Sequence, residues 1–244
     1  MPHGKNVTLV IYEASNTSGD SVLVSVMPLV NSRHFHSVTE KNTVSQVFSQ
    51  KSSDQSVTVQ SPPSTLPSTL ILLSTDGRYE AGRGEWIETF FRVDASRGES
   101  SLDNSYRPGV FKFIVAPNEN RRFSIVAAGG KNEDEALSIL STVYKDSESI
   151  DALLDAELKR RSELLNVFQK RYSDVQVEDW LKWLILATDE FIVERESTKT
   201  KSVIAGYHWF EDWGRDSLIS LPGLTLITGR FDDARQILLT FKRY

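Results

Sequence analysis

At Gly129-Gly130-Lys131-Asn132 the spacing of apolar residues changes from two to 3.6, so the chain must fold as strands first and helices afterwards. Before the change, from Val7 to about Ala128, short β-branched runs alternate with turn formers. Val7 to Tyr12 and Val22 to Met27 flank the loop Ser15 to Asp20. Leu70 to Leu73 and the segment from Tyr79 flank Asp76-Gly77, and Val110 to Val115 and Arg122 to Val126 flank Pro117 to Asn120. All three pairs read as hairpins. Residues 37 to 69 are rich in Ser, Thr and Gln and carry Pro62, Pro63 and Pro67. They read as edge strands and loops, with Val57 and Val59 alternating as in a half-buried strand.

After the change, Ile150, Leu153, Leu154, Leu158, Leu164, Leu165 and Phe168 recur three or four apart, the stripe of an amphipathic helix. Between Glu178 and Val193, apolar residues including Trp180, Trp183, Leu184, Ile185 and Phe191 cover most of the circumference. That predicts a helix buried on several sides. A further helix reaches Ile227, with a kink or start at Pro222 and a stop at Gly229. The last carries Asp232 and Asp233 in its first turn and Ala234, Ile237, Leu238 and Phe241 along one face. The expected division is a β domain over 1–130 and a helical domain over 131–244.

The 244 residues, 39% hydrophobic and 25% charged, are those of a globular chain able to bury a substantial core. The formal net charge of −5 is spread without a basic face, so nucleic acid and anionic membranes are not expected partners. The absence of cysteine excludes disulfides and thiolate metal sites. With no charged-then-apolar leader after Met1, and no apolar run near the ~20 residues that span a bilayer, a cytoplasmic location is expected.

Chemistry concentrates in one stretch, Ala205 to Gly223. Tyr207, Trp209, Phe210 and Trp213 offer flat apolar faces, Glu211, Asp212 and Asp216 offer acceptors, and Arg215 offers a planar fork of donors. A pyranose presents an apolar C–H face and a rim of hydroxyls, and this mixture suits it. The stretch turns apolar through Leu218, Ile219, Leu221 and Leu224, so the polar groups are placed in a turn at the mouth of a buried helix. Inverting glycoside hydrolysis needs two carboxyl groups ~6.5–9.5 Å apart. The adjacent Glu211 and Asp212 do not readily provide that separation, and they stand only as the remaining catalytic candidates. Asp216, next to the permanent charge of Arg215, suits an acceptor of sugar hydroxyls better than a proton donor. On residues alone the Arg215–Asp216 pair fits a subsite or a salt bridge capping the helix, and the four aromatics fit a subsite or core. His208 fits a substrate contact or a backbone one. His34 and His36 share a face if extended but lack a third metal ligand nearby, and Arg78 to Glu85 has no phosphate-binding spacing and reads as a turn.

The stretch from Ala205 to Leu224, continued by Thr228 to Leu238, resembles the signature of bacterial and archaeal glycogen debranching enzymes, the amylo-α-1,6-glucosidase family. Pro28 to His36, Glu80 to Glu85 and Pro108 to Phe111 are similar to that family's N-terminal domain through shorter motifs. The resemblance implies an α+β multidomain protein, with an incomplete N-terminal antiparallel β-sandwich followed by the first helices of an (α/α)6 barrel. It implies an inverting two-carboxylate hydrolase of α-1,6-glucosidic branch linkages, acting on glycogen or another α-glucan without a cofactor or metal. Trp213, Arg215 and Asp216 match a Trp-x-Arg-Asp segment that binds the terminal glucose in related glucoamylases, so Tyr207, Trp209, Trp213, Arg215 and Asp216 are the expected substrate-binding residues. The general acid and base are expected beyond Tyr244, which makes the chain a slice carrying only the sugar-binding part. The rival readings are a non-catalytic glucan-binding remnant and a structural fragment.

Overall fold

The computed structural model describes residues 1–34, 36–39, 48–61, 68–207 and 210–243, and the three prolines of the Ser/Thr-rich stretch lie outside them. The chain divides into two compact units, Met1–Leu153 and Leu154–Tyr244.

The first unit contains β1 (Val7–Ser15), β2 (Val22–Val26), β3 (Ser49–Ser52), β4 (Ser56–Gln60), β5 (Thr69–Ser74), β6 (Arg78–Phe90), the short helix α1 (Arg92–Ser96), β7 (Leu102–Val115), β8 (Asn120–Gly130) and α2 (Glu133–Ser141). These strands form two antiparallel sheets, ordered β1-β8-β5-β4-β3 and β2-β7-β6. Val57, Val59, Leu72 and Phe123 of the first sheet share a core with Tyr79, Tyr106, Phe111 and Phe113 of the second. The other face of the first sheet, with Val7, Ile71, Val126 and Ala128, is covered by Ala136 and Leu140 of α2, by Val143 and by Ile150. Burial on both faces explains why Leu70 to Leu73 within β5 form a continuous apolar run instead of an alternating one.

The three expected hairpins are corrected. The β1–β2, β5–β6 and β7–β8 connections each carry the chain from one sheet to the other. Turn formers ensure that a chain reverses, but they do not decide whether the returning strand lands beside its predecessor or across the core from it. Here the apolar faces decide, as the stacked rings of Phe113 on β7 and Phe123 on β8 show, with centroids 3.8 Å apart. The strands that do pair as hairpin neighbours are β3–β4, β4–β5 and β6–β7. Val57 and Val59 alternate as expected, buried between partly exposed neighbours, but on an interior strand and not at an edge. Arg78 to Glu85 is no turn either, but the start of β6 with an irregularity in register between Ala81 and Glu85.

The change of period at Gly129 to Asn132 is where β8 gives way to α2. Asn132 caps the helix by accepting a hydrogen bond from the Glu135 amide at 2.9 Å, with Glu133, Asp134 and Glu135 in the first turn where the helix dipole favours them. The predicted amphipathic helix follows as α3 (Ser147–Arg171), within which the two units meet in sequence.

The second unit continues with α4 (Asp179–Glu190), β9 (Ile192–Arg195), β10 (Thr200–Gly206), β11 (Phe210–Asp212), α5 (Gly214–Leu221) and α6 (Phe231–Phe241). The three strands, ordered β11-β10-β9, correct the expectation of a purely helical region. So does α4, which ends at Glu190 and buries only Ile185 and Asp189, leaving Trp180, Trp183 and Leu184 exposed. Pro222 interrupts the helix after α5, as expected, and the next turn widens so that the Ile227 amide reaches back to the Pro222 carbonyl at 3.0 Å. Gly229, at φ +80°, then stops it. The core of this unit is Val203, Leu221, Ala234 and Ile237, with Phe191, Leu224 and Phe241 against it. Among the described residues no helix is long and apolar enough to cross a membrane.

Candidate functional site

In the stretch from Ala205 to Gly223, β10 ends at Gly206, β11 takes Phe210–Asp212 and α5 takes Gly214–Leu221, where a polar turn before a buried helix was expected. β10 pairs with β11 through Ile204↔Asp212 and Gly206↔Phe210, and Trp213 leads directly into α5. Ser217, fully buried, fixes α5 by donating its hydroxyl to the Val203 carbonyl of β10 at 3.3 Å. Leu218 and Ile219 face solvent, so α5 is anchored on one side only.

Tyr207 sits at the end of β10, half exposed. Its hydroxyl donates to the Glu190 carbonyl at 2.7 Å, and its ring lies 5.8 Å from that of Phe191. Burial, with the Glu190 charge in support, raises the tyrosine's pKa above its ordinary value. Trp213 is exposed at the helix N-terminus. The Arg215 side chain is 81% exposed, and its Nε lies 3.8 Å from Asp216 Oδ2. Such a contact contributes under about 1 kcal/mol, too little to define it as a structural cap. Both groups are therefore open to a ligand. His208 and Trp209 lie outside the described residues.

The two catalytic candidates separate. Glu211 is exposed. Asp212 is 18% exposed, and its Oδ2 accepts a 2.7 Å hydrogen bond from Ser202 while Arg195 Nε stands 3.4 Å away. That carboxylate ties β11 to β10 and β9. His34 and His36 are not on a strand; their rings stack with centroids 5.5 Å apart, and the His36 amide donates to His34 Nδ1. Among the described residues no group of three His, Cys, Asp or Glu side chains is placed to hold a metal.

Two family models match the chain: "Glycogen debranching enzyme N terminal" over residues 1–122 and "Amylo-alpha-1,6-glucosidase" over residues 186–244. The chain belongs to the glycogen debranching enzyme family. The second match contains the whole strand, turn and helix assembly that holds Tyr207, Trp213, Arg215 and Asp216. No curated protein matches the chain.

The same unit contains a chain of ion pairs that the sequence reading missed. Arg160 bonds Glu157 through Nε at 3.0 Å and Nη2 at 2.7 Å, and its Nη1 reaches Asp189 Oδ2 at 2.7 Å. Arg230 Nη1 approaches Asp189 Oδ1 to 2.7 Å without hydrogen-bonding alignment, and Arg230 Nε and Lys201 Nζ both bond Asp233. The visible signal was Asp189 itself, one turn after Ile185 on an otherwise apolar helix face.

Hydrogen bonds from Arg160, opposed by burial but reinforced by the charges of Arg160 and Arg161, hold the Glu157 carboxyl down at about 2. Burial pushes Asp233 upward, yet its bonds to Lys201 and Arg230 outweigh this and leave it lowered. Both groups favour the charged form when folded. Their contribution to stability is therefore full above the unfolded carboxylate value near 4.5, and it is lost as the pH falls toward 2. Urea melts at pH 5.5, 4 and 3 should show a midpoint falling with acid, and Glu157→Gln should flatten that fall. Equal acid sensitivity in the variant would show that Glu157 does not carry the effect.

Proposed function

We propose that this chain supplies the sugar-binding part of a cytoplasmic glycoside hydrolase that cleaves α-1,6-glucosidic branch linkages in glycogen or another α-glucan. The observation that carries the reading is the open grouping of Trp213, Arg215 and Asp216 at the start of α5, inside the segment matched to amylo-α-1,6-glucosidases. An indole face takes the C–H side of a glucose ring, while the guanidinium donates to vicinal hydroxyls and the carboxylate accepts from them. Tyr207 and Trp209 are assigned to this group from the sequence. Residues 1–130 are read as a β-sandwich and residues 131–244 as the opening of an (α/α)6 barrel.

Hydrolysis by inversion places a protonated acid on the leaving oxygen and a base with its water on the opposite face of the sugar. Asp212 is committed to Ser202 and Arg195, and Glu211 is its neighbour, so the reading assigns acid and base to other segments of the enzyme. The purified chain should bind a branched limit dextrin without releasing glucose. Asp216→Asn should weaken that binding about tenfold to a hundredfold, as the loss of a charged hydrogen bond of roughly 1.5–3 kcal/mol requires. Unchanged affinity would remove Asp216 from the site, and turnover abolished by Glu211→Gln or Asp212→Asn would overturn the division of labour.

A further inference from the structure

The outer face of the β2-β7-β6 sheet carries charges that its own chain leaves unbalanced. Arg78 on β6 stands directly opposite Lys112 on β7, with both side chains on the solvent face. Like charges directly opposite one another across an antiparallel pair destabilise it. Neighbouring carboxylates relieve only part of this. Glu80 pairs with Lys112, and Asp76 is claimed by Arg121 through Nε at 3.3 Å and Nη2 at 2.9 Å. Among the described residues Arg78 has no carboxylate within ion-pair reach. A local rule broken with only one of the two cations balanced inside the fold marks a place to look for a ligand.

Beside the two cations, Leu23 of β2 is paired with Ile114 of β7, and both lie open on the same face at 56% and 61% exposure. All these residues line one cleft of about 460 Å³. That volume falls within the roughly 300–1,000 Å³ range of small-molecule sites.

We propose that this cleft binds a phosphorylated monosaccharide. The phosphate, with its fixed negative charge and three acceptor oxygens, lies between Arg78 and Lys112 and removes their repulsion. Asp76 and Glu80, acceptors at the rim, take the sugar hydroxyls, and the aliphatic surface of Leu23 and Ile114 takes the C–H face of the ring. Each wall of the cleft thus has a counterpart on the ligand. A bare phosphate would leave the aliphatic pair unused, and a polyphosphate or nucleic acid would meet the two rim carboxylates.

The test is isothermal titration of the whole chain with glucose 6-phosphate, alongside inorganic phosphate and glucose. Saturable binding of the sugar phosphate is expected, at least tenfold tighter than that of either fragment. Arg78→Ala should weaken it at least tenfold, with Arg78→Lys falling between the two. Because Arg78 faces a like charge, Arg78→Ala should melt at or above the parent temperature without ligand, whereas a purely structural arginine would lower it. Absence of saturable binding, equal binding of inorganic phosphate, or a ligand-free melting point lowered by Arg78→Ala would each overturn the proposal.

Discussion

Asp189→Ala is expected to destabilise the second unit by about 3–5 kcal/mol, the cost of breaking a buried ion pair by removing one partner. Asp189 is only 7% exposed, and its two oxygens lie 2.7 Å from Arg160 and 2.7 Å from Arg230, so truncation strands two guanidinium groups at once. Arg160 retains Glu157 and Arg230 retains Asp233, which places the loss within that range rather than above it. Four of the five tryptophans, all but Trp86, belong to the second unit, so urea unfolding followed by tryptophan fluorescence reports mainly on it. A loss below about 1 kcal/mol would show that the carboxylate makes no more than an exposed surface pair would.

The same aspartate shows where sequence reading stops. Periodicity places Asp189 on α4, but its partners come from α3, from the turn before α6 and, through Asp233, from β10. No local spacing announces such a convergence. Asp212 was ambiguous for the same reason, since its partners Ser202 and Arg195 lie on two other strands. Tyr207, Trp213, Arg215 and Asp216 could be grouped from the sequence because they lie within ten residues of one another. β9 was missed because it is only four residues long and because Phe191 and Ile192 extend the apolar spacing of α4 past its end. Exposed Trp180 and Trp183 mark the opposite error, an apolar circumference read as burial.

Phe113→Ala is expected to cost the first unit about 3–5 kcal/mol, the usual penalty for emptying a buried aromatic site. Its ring is 1% exposed and stacks on Phe123 across the core. Gly77 lies against the same ring. A Cβ added there would stand 2.4, 2.7 and 2.8 Å from three atoms of the Phe113 ring. The glycine that signalled a hairpin therefore serves a different purpose, letting the chain press flat onto the core as it passes from β5 to β6. Gly77→Ala alone should cost about 1–3 kcal/mol through overpacking. Because both penalties act through one ring, they should not add. In the Phe113→Ala background the cavity accepts the new methyl, and the Gly77→Ala penalty should vanish or turn into a gain, a coupling within the 0.5–3 kcal/mol found for residues in contact. Thermal unfolding of the four proteins in the cycle measures this directly. Strict additivity would mean that the Gly77 penalty arises from backbone conformation in the connection, and that contact with Phe113 is not what keeps this position a glycine.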